Sequence, residues 1–433
     1  MEKRILTLIL LLAAGWLQAQ EAWPLERCIQ YALEHNTGIR EQRVQIDLRK
    51  AELRQMQTGH LPVLRAGVAQ EFNWGRSVDM QELVIIKNKL TQATGATLTA
   101  SATLFEGFAQ HYGRLAAQKA VEAARQDARS QDEALTIDVT RAYLQLMLAR
   151  QILAYTEESL SAIVLQRERT ALMVEAGSQP KTALSEIEAQ VAAEKAAMVE
   201  ASCRVRTATL ALTRLMNLPP GAAFATGDAF EQEEVLSRVP LISEAQMDDY
   251  IRQAPELLSA QASLERLRHQ QTRAQAAFLP SLRLSASYGT YYSSAAEQPF
   301  RTQIDENRNP SLSLQLDIPI FQAFQAASQL RKSRLACDLA RLGVEKVRTQ
   351  LADRIRSAAI EADNCCQQYL SSEETLRAME SLLAVMEAKY NLGAASAVDY
   401  ILARNNHFKA VSDYLQAKWQ YLFQLKLLER YRL

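Results

Sequence analysis

Two periodicities divide this chain. In four stretches apolar and polar positions alternate one by one. Leu64, Ala66, Val68, Phe72 and Trp74 alternate with Arg65, Gly67, Glu71 and Asn73, and Leu98, Ala100, Ala102 and Leu104 with Thr97, Thr99, Ser101 and Thr103. Further on, Leu282, Leu284, Ala286 and Tyr288 alternate with Ser281, Arg283, Ser285 and Ser287, and Leu312, Leu314, Leu316 and Ile318 with Ser311, Ser313, Gln315 and Asp317. Period two with one apolar face is a strand signature, and it predicts strands over about 62–75, 96–105, 280–292 and 310–320.

Elsewhere the spacing is helical. Proline is absent from 63–179 and from 320–433, and glycine from 114–176 and 344–392, so nothing breaks a helix there. A helix over 114–176 alone would span roughly 95 Å at 1.5 Å per residue, more than a compact domain holds. Long helices are predicted over about 105–176, 179–217, 321–391 and 395–433. A seven-residue row, Leu184, Val191, Met198, Val205 and Leu212, runs along the second, with Ile187, Ala201, Ala208 and Leu215 as companions and Glu194 interrupting them. Ile401, Phe408, Leu415 and Leu422 repeat likewise in the fourth. These are coiled-coil seams, with alanines that let helices approach closely.

The chain also repeats itself. QMQTGHLPVLRAGVAQEF from 55 aligns with RAQAAFLPSLRLSASYGT from 273, matching Leu61-Pro62 to Leu279-Pro280. Phe105 and Phe108 align with Phe321 and Phe324, and Gly177 with Gly393, at offsets of 218, 216 and 216. The predicted strands are about ten residues long, with a polar face suited to water and Trp74, Tyr288, Tyr291 and Tyr292 near one end. Those are the dimensions and aromatic flanks of membrane-barrel strands. Four strands cannot close a barrel and lipid tolerates no open edge, so such a chain must oligomerise.

Composition narrows the function. Lys3 and Arg4, the apolar run Ile5 to Ala14 and the small Ala19 read as a secretory leader, 1–19, cleaved before Gln20. No other apolar run is long enough for a spanning helix. The 433 residues carry 49 basic and 49 acidic side chains with no dense basic run, so nucleic acid is not an expected partner. Cys28, Cys203, Cys337, Cys365 and Cys366 contain no CxxC pair, so neither a disulfide framework nor a zinc site is suggested. There is no GxGxxG, P-loop, HExxH or GxSxG, and the five histidines lie at least 25 positions apart. No catalytic, cofactor or metal residue is expected, and the chain is not read as an enzyme.

The leader, the tandem repeat, the order helix, Leu-Pro, strand, loop, strand, Phe-rich helix entry, glycine turn and return helix, and the segment KYNLGAASAVDYILARNNHFKA together resemble the TolC-like outer-membrane efflux proteins, the outer-membrane factors. The resemblance runs from Pro24 to Leu433. It implies a mixed, mainly α fold: a first repeat over 20–217, an equatorial linker over 218–242 and a second repeat over 243–433. It implies a homotrimer whose strands share one transmembrane β-barrel in outer-membrane lipid and whose helices form an α-barrel tunnel in the periplasm. Partners would be a periplasmic adaptor and an inner-membrane transporter, in efflux or type I secretion, with the channel itself passive. A periplasmic coiled-coil adaptor or scaffold would share the leader and helices but needs no repeated strands. Extracellular loops are expected over 75–93 and 293–309.

The resemblance also places a periplasmic gate. Asp399 falls on an acidic-ring position and Tyr390 on the gate tyrosine, while Gly177 and Gly393 make the helix turns an adaptor would grip. Three such carboxylates converging on an axis would repel one another and attract cations. Yet Leu402 stands where a second acid can occur, Ala395 replaces the arginine partner, and the matching first-repeat turn has Ala183. A weaker filter and a gate held differently are therefore expected. Asp399 has a simpler reading as a first-turn helix carboxylate, and Tyr390 as a seam aromatic.

Overall fold

A computed structural model describes residues 23–78, 85–86, 90–219, 224 and 243–431. The leader and its cleavage site, and most of the expected 218–242 linker, lie outside them.

The two halves carry the same series of elements. The first has α1 (Leu25–His35), α2 (Thr37–Thr58), β1 (Val63–Asn73), the short pair β2 (Ser77–Val78) and β3 (Ile85–Ile86), β4 (Thr91–Glu106), α3 (Ala109–Glu175) and α4 (Lys181–Met216). The second has α5 (Glu244–Gln253), α6 (Pro255–Gln275), β5 (Ser281–Ser293), α7 (Phe300–Glu306), β6 (Asn309–Asp317), α8 (Gln325–Asn391) and α9 (Ala397–Arg430). Helices α3 and α8 are 67 residues each. Each half opens with a broken helix. Asn36 separates α1 from α2, its Oδ1 accepting from Gly38 N at 2.8 Å, and Ala254 before Pro255 separates α5 from α6. The residue before a proline is pushed out of the helical region.

Two compact units form, each drawing on both halves. Of the described residues, the first comprises those within 23–44, 126–257 and 347–431, and the second those within 45–125 and 258–346. In the first, Cys28, Ala32, Val139, Tyr143, Leu146, Leu212, Met216 and Trp419 build one buried cluster. Along α9 a buried seven-residue row is Ala403, Ala410 and Ala417, while of the expected row Ile401, Phe408 and Leu415 are half-buried and Leu422 is buried. The period is as read, and a neighbouring row of small side chains shares the buried face.

The second unit holds a four-stranded antiparallel sheet in the order β1-β4-β5-β6. Its register aligns the alternating residues into two faces. Leu64, Ala100, Ala286 and Leu312 form one cross-strand row, and Ala102, Leu284 and Leu314 another. The opposite face carries Arg65, Thr99, Ser287 and Ser311, where the two serine hydroxyls share a 2.7 Å hydrogen bond. The apolar face is uncovered: Leu64, Val68 and Leu312 are 67%, 79% and 75% exposed. Neither outer strand, β1 or β6, has a partner on its free side among the described residues.

Two loop expectations change. β4 begins at Thr91, inside the expected 75–93 loop, because Thr91–Gly95 pairs through its backbone with β1 although it lacks apolar alternation. The expected loop 293–309 contains α7, pinned by fully buried Gln303, whose Nε2 donates to the carbonyls of Ser293 and Gln298 at 3.1 and 2.7 Å.

Each strand-to-long-helix junction uses consecutive left-handed residues: Gly107 and Phe108 (φ 55° and 66°) before α3, Ala323 and Phe324 (φ 46° and 62°) before α8. Ala323 shows that a Cβ is tolerated at this φ. At Gly107 it would sit 2.8 Å from Leu279 Cβ and 2.9 Å from the Ala276 carbonyl oxygen. Gly107→Ala is therefore expected to destabilise by about 1–3 kcal/mol, the usual overpacking cost, in thermal unfolding of the detergent-purified protein.

Candidate functional site

The residues picked out as gate and turn candidates meet in the first unit, where α3 turns into α4 and α8 into α9. Both turns end their incoming helix identically. Gly177 N donates to the Val174 carbonyl at 3.1 Å and Ser178 N to that of Met173 at 2.9 Å; Gly393 N donates to the Tyr390 carbonyl at 3.0 Å and Ala394 N to that of Lys389 at 2.8 Å. These paired bonds are the Schellman motif, and both glycines are left-handed, at φ 73° and 71°. Pro180 and Ser396 then precede the outgoing helices.

One core joins the two turns. Tyr390 is fully buried against Ile163, Ala183, Ile187, Val191 and Ala397. Its ring stacks on Tyr400 at 5.2 Å between centroids and 15° between planes, and its hydroxyl shares a 3.1 Å hydrogen bond with the buried Thr170 hydroxyl. Ala183, noted above for lacking a polar group, fills part of this core. Asp399 is on the surface. Ser396 Oγ accepts from Asp399 N at 3.2 Å and donates to Asp399 Oδ2 at 2.7 Å, so the carboxylate closes a cap on α9 next to the positive end of the helix dipole.

Beyond the turns lies a buried polar hub. Glu194 occupies a core position of α4 rather than interrupting its seam. Arg404, on α9, faces it with Nε 3.7 Å from Glu194 Oε1, and the Arg404 and Glu194 side chains are 9% and 5% exposed. Arg404 Nη2 donates to the Ser159 hydroxyl at 2.8 Å and also to the Ser159 carbonyl on α3. Arg404 Nε has no hydrogen-bond partner among the described residues. Gln190 Nε2 donates to Asn405 Oδ1 at 2.9 Å. A single guanidinium thus ties α9 to both α3 and α4.

Tyr155 and His407 add a second α3–α9 link, 2.9 Å between the phenol oxygen and Nδ1. Burial pushes the Tyr155 phenol up to about 12, against the opposing pull of Arg404. Its hydroxyl therefore stays protonated at neutral pH, and we assign it as donor to Nδ1. Burial likewise holds the His407 imidazole below its ordinary 6.5, Glu380 opposing and Arg404 reinforcing the shift. The folded value lies below the unfolded one, so the unfolded chain takes up more proton as pH falls below 6.5 and stability is lost over that range. Amide-exchange protection around Tyr155 and His407 is expected to fall between neutral and mildly acidic pH, and His407→Gln to remove that dependence.

Among the described residues no group of three or more His, Cys, Asp or Glu is placed to hold a metal. No described helix is long and apolar enough to cross a membrane. Cys28 is buried, and burial pushes its thiol up to about 12.

Comparison with known proteins fits this architecture. The family model described as "Outer membrane efflux protein" matches residues 28–218 and 247–431. The chain is 23% identical to outer membrane protein TolC of Escherichia coli (strain K12) over 429 residues, 98% of this chain and 84% of that protein. It is 25% identical to the alkaline protease secretion protein AprF of Pseudomonas aeruginosa over 301 residues, 68% of this chain and 60% of that one. The crystal structure of the Campylobacter jejuni CmeC outer membrane channel superposes with a TM-score of 0.81 at 16% identity, covering 94% of this chain and 85% of that one. With its family model matched across nearly all of both halves, this chain belongs to the outer membrane efflux proteins.

Proposed function

We propose that this chain is the outer-membrane channel of a tripartite efflux or type I secretion system, working as a homotrimer without chemistry of its own. Three sheets share one barrel, the helices continue as a periplasmic tunnel, and an inner-membrane transporter supplies the energy through a periplasmic adaptor. On this reading 1–19 is a leader, 20–217 and 243–433 are the repeats, and 218–242 is the linker between them. The observation that carries it is the sheet: a continuous apolar face left uncovered, a Ser/Thr face behind it, and two unpaired edges. In lipid the acyl chains cover the apolar face, and the open edges need a neighbouring copy. The similarity to AprF and CmeC supports the class and leaves efflux and secretion side by side.

Detergent-purified protein is expected to run as a trimer and to conduct in small steps across a planar bilayer. A water-soluble monomer without conductance would replace this reading with a periplasmic adaptor or scaffold.

We place the gate at the two turns, with Tyr390 and Asp399 as its candidates and the Arg404 hub holding α9 against α3 and α4. The exposed turns at Gly177 and Gly393 are the surfaces offered to the adaptor. An ideal Cβ at Gly393 meets no atom within 4 Å, so Gly393→Val changes the turn through backbone conformation alone. It is expected to weaken adaptor crosslinking while membrane insertion stays intact. Unchanged crosslinking would remove the turn from the adaptor surface.

A further inference from the structure

The two signs of charge are equal in number over the chain, yet the helix-side segments that adjoin the sheet carry one sign, with the acids Glu106 and Asp317 standing on the strand ends themselves. Segments 53–60, 107–118, 266–278 and 319–337 adjoin β1, β4, β5 and β6 and lie in one compact unit. They contain eight Arg or Lys and no Asp or Glu. None of the eight is held in an ion pair among the described residues. Pairing begins just farther from the strands, at Arg49–Glu52 (2.9 Å), Lys119–Glu265 (2.6 Å) and Arg341–Glu345 (3.9 Å).

Two further features accompany this belt. On its strand side stand exposed apolar side chains, Phe108, Phe278, Ile320, Phe321 and Phe324, with Ile320 94% and Phe321 76% exposed. Within the belt, α6 and α8 flank an open groove of about 490 Å³ with Leu267, Ala274 and Ala336 along its floor. Arg273 and Lys332 line it together with Gln270, Gln329 and Ser333. Its polar side chains thus combine two cations with amide and hydroxyl donors. Arg273 precedes Phe278 by five residues and Lys332 follows Phe324 by eight, displacements of roughly 7 and 12 Å along helices. Exposed Phe and Ile side chains belong in the hydrocarbon at the end of a barrel's apolar band, so these cations, one to two turns beyond them, fall at headgroup depth.

We propose that this belt, with the Arg273–Lys332 groove, binds the phosphate headgroups of anionic glycerophospholipids in the periplasm-facing leaflet. The inference rests on the membrane reading above. Each basic residue near an anionic surface adds attraction that salt screens within a Debye length, and the belt gathers eight on a neutral protein.

The test uses the full chain offered phosphatidylcholine vesicles with and without phosphatidylglycerol, with retained lipid counted by native mass spectrometry. The protein is expected to retain phosphatidylglycerol preferentially. The double variant Arg273→Gln, Lys332→Gln is expected to lose about 30-fold of that preference while still inserting. Both residues are exposed, so the fold is kept. Equal retention of the two lipids by the wild type, or an undiminished preference in the variant, would overturn the proposal alone. Competition by inorganic phosphate would do the same, by making the groove a site for the free ion. Failure to enter either vesicle would overturn the membrane reading and this inference with it.

Discussion

Arg404→Leu is expected to destabilise the folded chain by about 3–5 kcal/mol, the range seen when one partner of a buried ion pair is removed. The variant leaves the Glu194 carboxylate, 4% exposed, with Gln190 Nε2 at 3.4 Å as its one remaining partner among the described residues, and it strips Ser159 of its guanidinium donor. Adding Glu194→Leu should return most of the loss, because two well-packed leucines replace an ion pair whose desolvation already offsets much of its attraction. Denaturant unfolding followed by the helical signal gives the double-mutant cycle. If the double variant is no more stable than Arg404→Leu, the cost lies in the lost packing of the arginine stem, and the hub is ordinary core. In the proposed channel the double variant separates charge from packing. Raised conductance at near-native stability would assign the hub to holding the tunnel shut.

This pair also marks the limit of what the sequence carries. Long helices are legible because their requirement is local: no proline, no glycine and an apolar stripe every three or four residues. The four strands are legible where alternation is strong and fade where it is weak, as at Thr91–Gly95, which backbone pairing and the side-chain bonds of Thr91 and Thr94 hold in the sheet. Glu194 was visible as an acid on a core row, and a buried acid asks for a cation. Arg404 lies seven residues after Ala397, on a buried row of α9, and has the opposite sign. Matching them needs the register between two helical hairpins more than 200 residues apart, which no local pattern supplies. Asp399 is the reverse case. Its cap on α9 is written locally, in a serine three residues earlier, whereas any convergence on an axis depends on other copies of the chain.

Tyr390 separates core from gate through two substitutions of very different cost. Tyr390→Ala is expected to destabilise by about 3–5 kcal/mol, since a fully buried aromatic leaves a cavity among Ile163, Ile187, Val191 and Tyr400. Tyr390→Phe keeps the ring, its stack on Tyr400 and the packing, and removes only the 3.1 Å hydrogen bond with Thr170. That loss is worth about 1–2 kcal/mol. The Thr170–Tyr390 bond ties α3 to the end of α8 at the proposed entrance. A gate tyrosine therefore raises bilayer conductance several-fold in the Phe variant while the unfolding midpoint moves little. If conductance is unchanged and the damage is confined to the Ala variant, Tyr390 is a core residue that happens to sit at the turn. The ties that hold α9 would then be those of Arg404, Asn405 and His407, which lie farther along α9 from the turn.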